Sequence, residues 1–472
     1  MSQKRIAILG GGMASLVTAL ELTRTPAQRA RHQITVYQHG HRLGGKGASG
    51  VNADAHDRIE EHGLHVLYGF YENVFRVLRE CYEELDRPPD APLATWRNAV
   101  SPQHLIVVPE HVNGSWRHWP LYMPANDEVP GDGTALDDPW RYLSRLLDWA
   151  HVLVRQWVSV RPEDYPLDWP EEVRDGVDAS SPPLLRRALA RLMRRRGDVS
   201  GLVLAELARQ MVRVMPEPRR QDEEDRRSLL WLIGRSLEWL WARAGVTTEM
   251  RRTRILLDLA LTVVRGLLVD ELVTAPPRWF AVDDEDFRAW LTRHGARAET
   301  VQSAIVNGLY HAAFSAFEPL GAGTILHALL RMVCTYKGAI LYRMQAGMGD
   351  TVFAPLYTVL ARRGVRFEFF HSVRRLELSG DRRHVARVVM DRQATVRTGN
   401  YEPLIDVKGL PCWPARPRWE QLLEGEALRT GGHDLENWWD PWRGAGEVTL
   451  EHRRDYDTVV LGLSLGVLPS VC

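Results

Sequence analysis

Three consecutive glycines, Gly10-Gly11-Gly12, stand where a short apolar run ends and an amphipathic stretch begins, and nothing else in the chain limits its fold as much. Residues 6–9 read Ile-Ala-Ile-Leu, a short buried strand. From Met13 the apolar residues recur at helical spacing: Met13, Leu16, Val17 and Leu20. Residues 34–37 are a second β-branched run. Strand, glycine turn, helix and strand together make one βαβ unit.

The turn reads Gly10-x-Gly12-x-x-Ser15. Glycines suit a tight turn whose backbone must approach a pyrophosphate closely. The helix that follows would aim the N–H groups of Met13, Ala14 and Ser15, and its positive dipole end, at the phosphates. Ser15 takes the place of a third glycine, where a small residue still fits. A glycine motif alone is weak evidence, but this one follows a strand and opens a helix. At the end of the second strand, where an acid normally binds the ribose hydroxyls, stands Gln38. An amide can hydrogen-bond a ribose but gives up the charge-assisted bond. Next comes Arg42-Leu43-Gly44-Gly45-Lys46, two glycines flanked by basic side chains that suit a diphosphate.

Further along, residues 71–85 are helical in pattern, and residues 88–139 are rich in proline and tryptophan, with strand-like pieces at 105–108 and 115–119. Residues 138–274 are mostly helical. Asp283 and Asp284 are placed to start a helix running to His294, because the dipole favours negative charge there. From Gly349 the pattern returns to α/β: a helix over 351–363, strands at 365–370, 373–378 and 384–391, and a buried strand at 456–463. The expected architecture is α/β, a Rossmann-type dinucleotide-binding domain interrupted by a largely helical domain. Its parts are residues 1–87, a helical insert over 88–334, and a return over 335–472 that carries an irregular segment at 392–455.

The 472 residues suit two or three domains at ~150 residues each. With 60 basic and 60 acidic residues the formal charge is zero, which argues against a nucleic-acid partner. The basic run Arg186–Arg196 is local; it suits anionic headgroups or a solvated helix face. The four cysteines are far apart and form no C-x-x-C pair, so neither a disulfide framework nor a zinc site is expected, and a reducing cytosol suits the chain. The apolar stretch 256–273 is broken by Asp258, Arg265 and Asp270, too soon for a spanning helix. Seventeen tryptophans suit core packing and rims, or the wall of an apolar ligand site and an anchor at a membrane surface.

These motifs together resemble the flavin amine oxidase and carotenoid desaturase superfamily, in which the glycine turn, the second-strand acid and an R-x-G-G-[RK] loop bind FAD. The resemblance continues in residues 61–73, Glu-His-Gly-Leu-His-Val-Leu-Tyr-Gly-Phe-Tyr-Glu-Asn, which look like the G-L-H-x-F-x-G-x-Y-x-N segment of the phytoene and zeta-carotene desaturases. Phe287-Arg288-Ala289-Trp290-Leu291 with His294-Gly295, and Tyr336-Lys337-Gly338 through Gly349, follow the order of the zeta-carotene enzymes. The resemblance implies that Gly10, Gly12, Met13, Ala14, Ser15, Gln38, Arg42, Gly44, Gly45 and Lys46 hold FAD. It also implies that Gly63, Leu64 and His65 lie beside the flavin, and that the backbone of Val373 meets the adenine. Residues 462–469 resemble the stretch that returns to the FAD domain. The family's closing motif at the ribityl chain and pyrophosphate is not visible, so a fragment is expected, or a site completed by another chain.

His62 and His65, three apart, would point to opposite faces of an extended run, so no shared metal is expected. The resemblance implies a desaturase or dehydrogenase that moves hydride from a large apolar, isoprenoid-like substrate to flavin, cytoplasmic or peripheral at a membrane. Two alternatives stay open: a flavin amine oxidase of specialised metabolism, and a non-catalytic Rossmann binding protein. No catalytic residue is assigned at this level.

Overall fold

The computed structural model describes residues 3–61, 63–133, 140–160, 201–214, 223–242, 247–273, 278–312, 319–442 and 444–472. The basic run 186–196 and His62 lie outside the described residues. The chain divides into two units: residues 1–103, 129–132 and 341–472, and residues 104–128 with 133–340. Residues 88–103 thus lie with the glycine turn, because the strand Val100–Gln103 pairs with Leu341–Met344.

The first unit is built on a four-stranded parallel sheet. Strand β1 (Lys4–Leu9) is central, and β2 (His32–Tyr37) pairs with it, Leu9 opposite Tyr37. Arg366–Glu368 adds outside β2, and Thr458–Leu461 adds on the other side of β1. Ile8, Leu9 and Val36 have no exposed surface. That accounts for their reading as a continuous apolar run, since parallel strands are covered on both faces. The final strand was expected to be buried. It is an edge strand instead, half-buried over Thr458–Val460 with Leu461 exposed, because only β1 pairs with it. The order of strands reverses between β1 and this edge strand, and the usual ligand position in such a sheet is beyond the carboxyl ends of the strands at that point.

A three-stranded antiparallel meander, His371–Leu378, Val385–Arg392 and Gly446–Glu451, lies against this sheet. Val373, Val388, Met390, Leu450 and Tyr456 pack with Ala7 and Leu9. The irregular segment therefore ends before Gly446, earlier than residue 455. Within it are a small hairpin, Ile405–Val407 with Leu410–Cys412, and one short helix, Gly425–Thr430.

In the second unit the helices Trp140–Val160, Gly201–Val214, Glu223–Ala242 and Thr248–Val269 pack on one another. Leu143, Leu147, Leu229, Leu232 and Leu267 fill the centre, with Trp290 fully buried. The two strand-like pieces extend into a hairpin, Leu105–Val112 with Ser115–Tyr122. The helix expected from Asp283 starts four residues later, at Phe287–Arg293. Asp286 is its cap and accepts the Arg288 and Ala289 N–H groups, a more direct gain than charge near the dipole. Asp283 instead accepts the Thr324 N–H at 2.7 Å, capping the helix Ala322–Cys334. Among the described residues no helix is long and apolar enough to cross a membrane.

Candidate functional site

The glycine turn follows the carboxyl end of β1 and is held by backbone bonds. Gly10 has φ +95°, a conformation that favours glycine, and its N–H donates to the Tyr37 carbonyl at 2.8 Å. The Gly462 N–H donates to the Leu9 carbonyl at 2.9 Å. This close crossing leaves no room for side chains: a Cβ at Gly462 would fall 1.9 Å from the Ser15 Oγ. Ser15 is buried there, so its smallness serves the packing of the returning strand.

Gly12 differs from its neighbours. Its backbone is extended, and a Cβ added there would meet nothing within 4 Å. It opens helix α1 (Met13–Leu22), and no side chain caps that helix. The first intrahelical bond of this turn is Leu16 N–H to the Gly12 carbonyl, so the N–H groups of Met13, Ala14 and Ser15 have no partner within the helix. Open space in front of uncapped N–H groups is what a diphosphate needs.

The Arg42–Lys46 loop is fastened to the turn. The Gly44 N–H donates to the Gly11 carbonyl at 2.9 Å, and Gly12 and Gly44 pair as a parallel bridge. Gly44 and Gly45 both take positive φ. Lys46 is exposed beside them. Arg42 is not a free cation. Its Nε donates to both Glu436 oxygens, at 3.1 and 3.0 Å, and its Nη1 donates to the Ser49 carbonyl at 2.6 Å. Burial pushes the Glu436 carboxyl up, but His41 and Arg42 pull it further down, below the usual carboxylate range. Gln38 is also committed. Its Oε1 accepts the Gly11 N–H at 2.7 Å and its Nε2 donates to the His39 carbonyl at 2.5 Å. The turn, the helix start and Lys46 thus fit a dinucleotide's diphosphate, while Gln38 and Arg42 brace the walls.

Two flanks leave this cradle. On one, the His371 N–H donates to the Gln38 carbonyl, bringing the Val373 strand beside the end of β2. The side chain of Val373 is buried in the core, leaving only its backbone for a ligand. A cleft on this flank is lined by His39, Ser372, Arg374, Trp438 and Trp442. On the other flank, Ser49 donates from Oγ to Glu61 Oε1 at 2.7 Å, and the Met348 N–H donates to the same oxygen at 3.1 Å. Glu61 Oε2 lies 2.6 Å from His65 Nδ1. Gly63 has open space where a Cβ would be, and Leu64 is 73% exposed.

Ser49, Glu436 and His39 were not singled out from the sequence. Glu436 has no readable signal, since it meets Arg42 across 394 positions. Ser49 and His39 follow the two motifs closely, and that proximity was the available clue.

A family model described as an NAD(P)-binding Rossmann-like domain matches residues 8–81. The zeta-carotene desaturase of Synechocystis sp. is 37% identical over 76 residues, 16% of this chain and 14% of that protein. The chloroplastic/chromoplastic zeta-carotene desaturase of Solanum lycopersicum is 37% identical over 80 residues, 17% of this chain and 12% of that protein. The match thus spans about one eighth of the relatives' length. A solved oxidoreductase from Methanosarcina mazei overlays on 82% of this chain and 56% of its own, with 11% identity and a TM-score of 0.30. The N-terminal region of this chain is thus similar to NAD(P)-binding Rossmann-like domains and, over 76 to 80 residues, to the zeta-carotene desaturases.

Proposed function

We propose that the chain is an FAD-dependent oxidoreductase that dehydrogenates a large apolar substrate of isoprenoid type. The observation that carries this reading is the open, uncapped start of α1, locked to the Arg42–Lys46 loop through Gly12 and Gly44. The N–H groups of Met13, Ala14 and Ser15, with Lys46, would hold the FAD diphosphate. The backbone of Val373 would meet its adenine. When bound, FAD supplies the two-electron oxidation. The protein's part is to bind and orient it, and the similarity to zeta-carotene desaturases supports a polyene-like substrate.

Such a substrate is stored in membranes, and peripheral contact with one belongs to the same reading. One face of the hairpin suits it: Val107, Trp116 and Tyr122 are exposed on the same side, with no Asp, Glu, Lys or Arg among residues 105, 107, 109, 111, 116, 118, 120 and 122.

A second reading, a binding protein without catalysis, is favoured by the internal commitments of Gln38 and Arg42. Flavin absorbance per purified chain separates the two. About one flavin per chain, lost in Gly12→Leu at unchanged thermal stability, supports the oxidoreductase. A colourless protein that takes up no added FAD refutes it.

A further inference from the structure

We propose that this site binds an adenine dinucleotide without selecting for the 2′-hydroxyl of its adenosine ribose, and that Gln38 sets this tolerance, which rests on the dinucleotide reading above. Gln38 lies on the path of such a ligand. Its side chain reaches the glycine turn, where Oε1 accepts the Gly11 N–H at 2.7 Å. Its backbone carbonyl accepts the His371 N–H at 2.9 Å, which brings it beside the strand of Val373. A nucleotide with its diphosphate at Gly12 and its adenine at the Val373 backbone therefore carries its ribose past the end of β2. Rossmann domains commonly hold an acid for the 2′-hydroxyl there.

What Gln38 offers a ribose is decided by the bonds it already makes. A carboxylate has two acceptor oxygens, so one can hold a backbone N–H while the other takes a hydroxyl. An amide has one acceptor oxygen, and this one already holds the Gly11 N–H. The contact is tight, since a Cβ at Gly11 would fall 2.5 Å from that oxygen. The amide nitrogen donates to the His39 carbonyl at 2.5 Å. The backbone N–H is used as well, toward the Glu368 carbonyl at 2.9 Å. A second lone pair on Oε1 and a second hydrogen on Nε2 remain, and they give a hydroxyl no more than neutral bonds, about half as strong as charged ones.

Glu368 and Glu436, the acids bonded to neighbouring residues, do not stand in for it. Glu368 pairs with Tyr37, and successive side chains of a strand face opposite sides, so Glu368 stands on the face away from Gln38. Glu436 gives both carboxylate oxygens to Arg42.

The test compares ADP with 2′-deoxy-ADP by titration calorimetry on the full chain freed of flavin, with FAD measured beside them. In the wild type the two dissociation constants should agree within about threefold. A charge-assisted bond to the missing hydroxyl would instead separate them by about tenfold or more. In Gln38→Glu one oxygen can keep the Gly11 N–H, and the other, no longer a donor to His39, is open to the ribose. The preference for ADP should then rise to about tenfold. A wild type that prefers ADP by more than threefold overturns the proposal and leaves the flavin reading standing, and this comparison holds even if the variant fails to fold. A Gln38→Glu chain that folds, binds ADP and still ignores the 2′-hydroxyl also overturns it, since the ribose would then lie elsewhere. Failure of ADP to bind a chain that binds FAD does the same. A wild type that binds neither overturns both readings.

Discussion

The side-chain carbonyl of Gln38 accepts the Gly11 N–H at 2.7 Å, tying the end of β2 to the middle of the glycine turn. Gln38 is 9% exposed, so the bond is shielded from water. Gln38→Leu would orphan a buried N–H, a loss of about 1–3 kcal/mol. The expected outcome is a lower denaturation midpoint together with weaker FAD uptake. Weaker uptake at an unchanged midpoint would show that Gln38 acts on the ligand and not on the turn.

How much of this was legible in the sequence follows from how local each contact is. Strand, glycine turn and helix are written within residues 6–22, so the βαβ unit could be read directly. Gln38 was placed correctly at the end of β2, yet its bond to Gly11 was not foreseen, because hydrophobic periodicity says nothing of where an amide points. Asp283 was read as the start of a helix it does not cap, because Asp283, Asp284 and Asp286 are equally good by composition. Only the packing of Thr324 against Asp283 separates them. The service of Arg42 to Glu436 depends on an irregular segment that has no pattern to read.

Gly12 and Gly462 separate binding from folding. Nothing lies within 4 Å of a Cβ at Gly12, and its backbone is one that any residue adopts, so Gly12→Leu should fold normally and fill the cradle. The expected result is at least a tenfold loss of FAD affinity, about 1.4 kcal/mol, at unchanged midpoint. Gly462→Ala should do the reverse, since its Cβ would press on Ser15 Oγ and the Leu9 carbonyl. Overpacking of this kind costs about 1–3 kcal/mol. Calorimetry and flavin titration on the two variants give the comparison.

Arg42 and Glu436 should behave as a structural pair. Their side chains are 15% and 24% exposed, so removing one leaves the other poorly solvated. Arg42→Ala and Glu436→Ala should each destabilise, by up to about 3–5 kcal/mol if the site behaves as fully buried. The double variant Arg42→Met, Glu436→Leu should lose less than the sum of the two. Additive losses in urea melts would mean that the pair does not brace the loop.

Acid should loosen the helical unit through Asp270. Its carboxylate accepts the Trp290 indole N–H at 2.8 Å, and it meets His294 Nε2 at 3.0 Å and Arg293. Burial alone would push the carboxyl up, but bonds from Arg293, Trp290 and His294 outweigh it and hold it near about 2, against 3.8 unperturbed. A depressed folded value means that the stabilisation is complete above the unfolded value and is lost as pH falls from 3.8 through about 2. His294, held below the usual imidazole range by burial, adds in the same direction, because the unfolded chain takes up its proton first as pH drops. Asp270→Asn should cost about 1–3 kcal/mol at neutral pH and flatten the acid limb of the stability profile. Tryptophan fluorescence during urea unfolding, run from pH 7 down to about pH 2, should show the wild type converging on the variant below the unfolded value of 3.8. Parallel profiles across that range would mean that another carboxylate governs the acid loss.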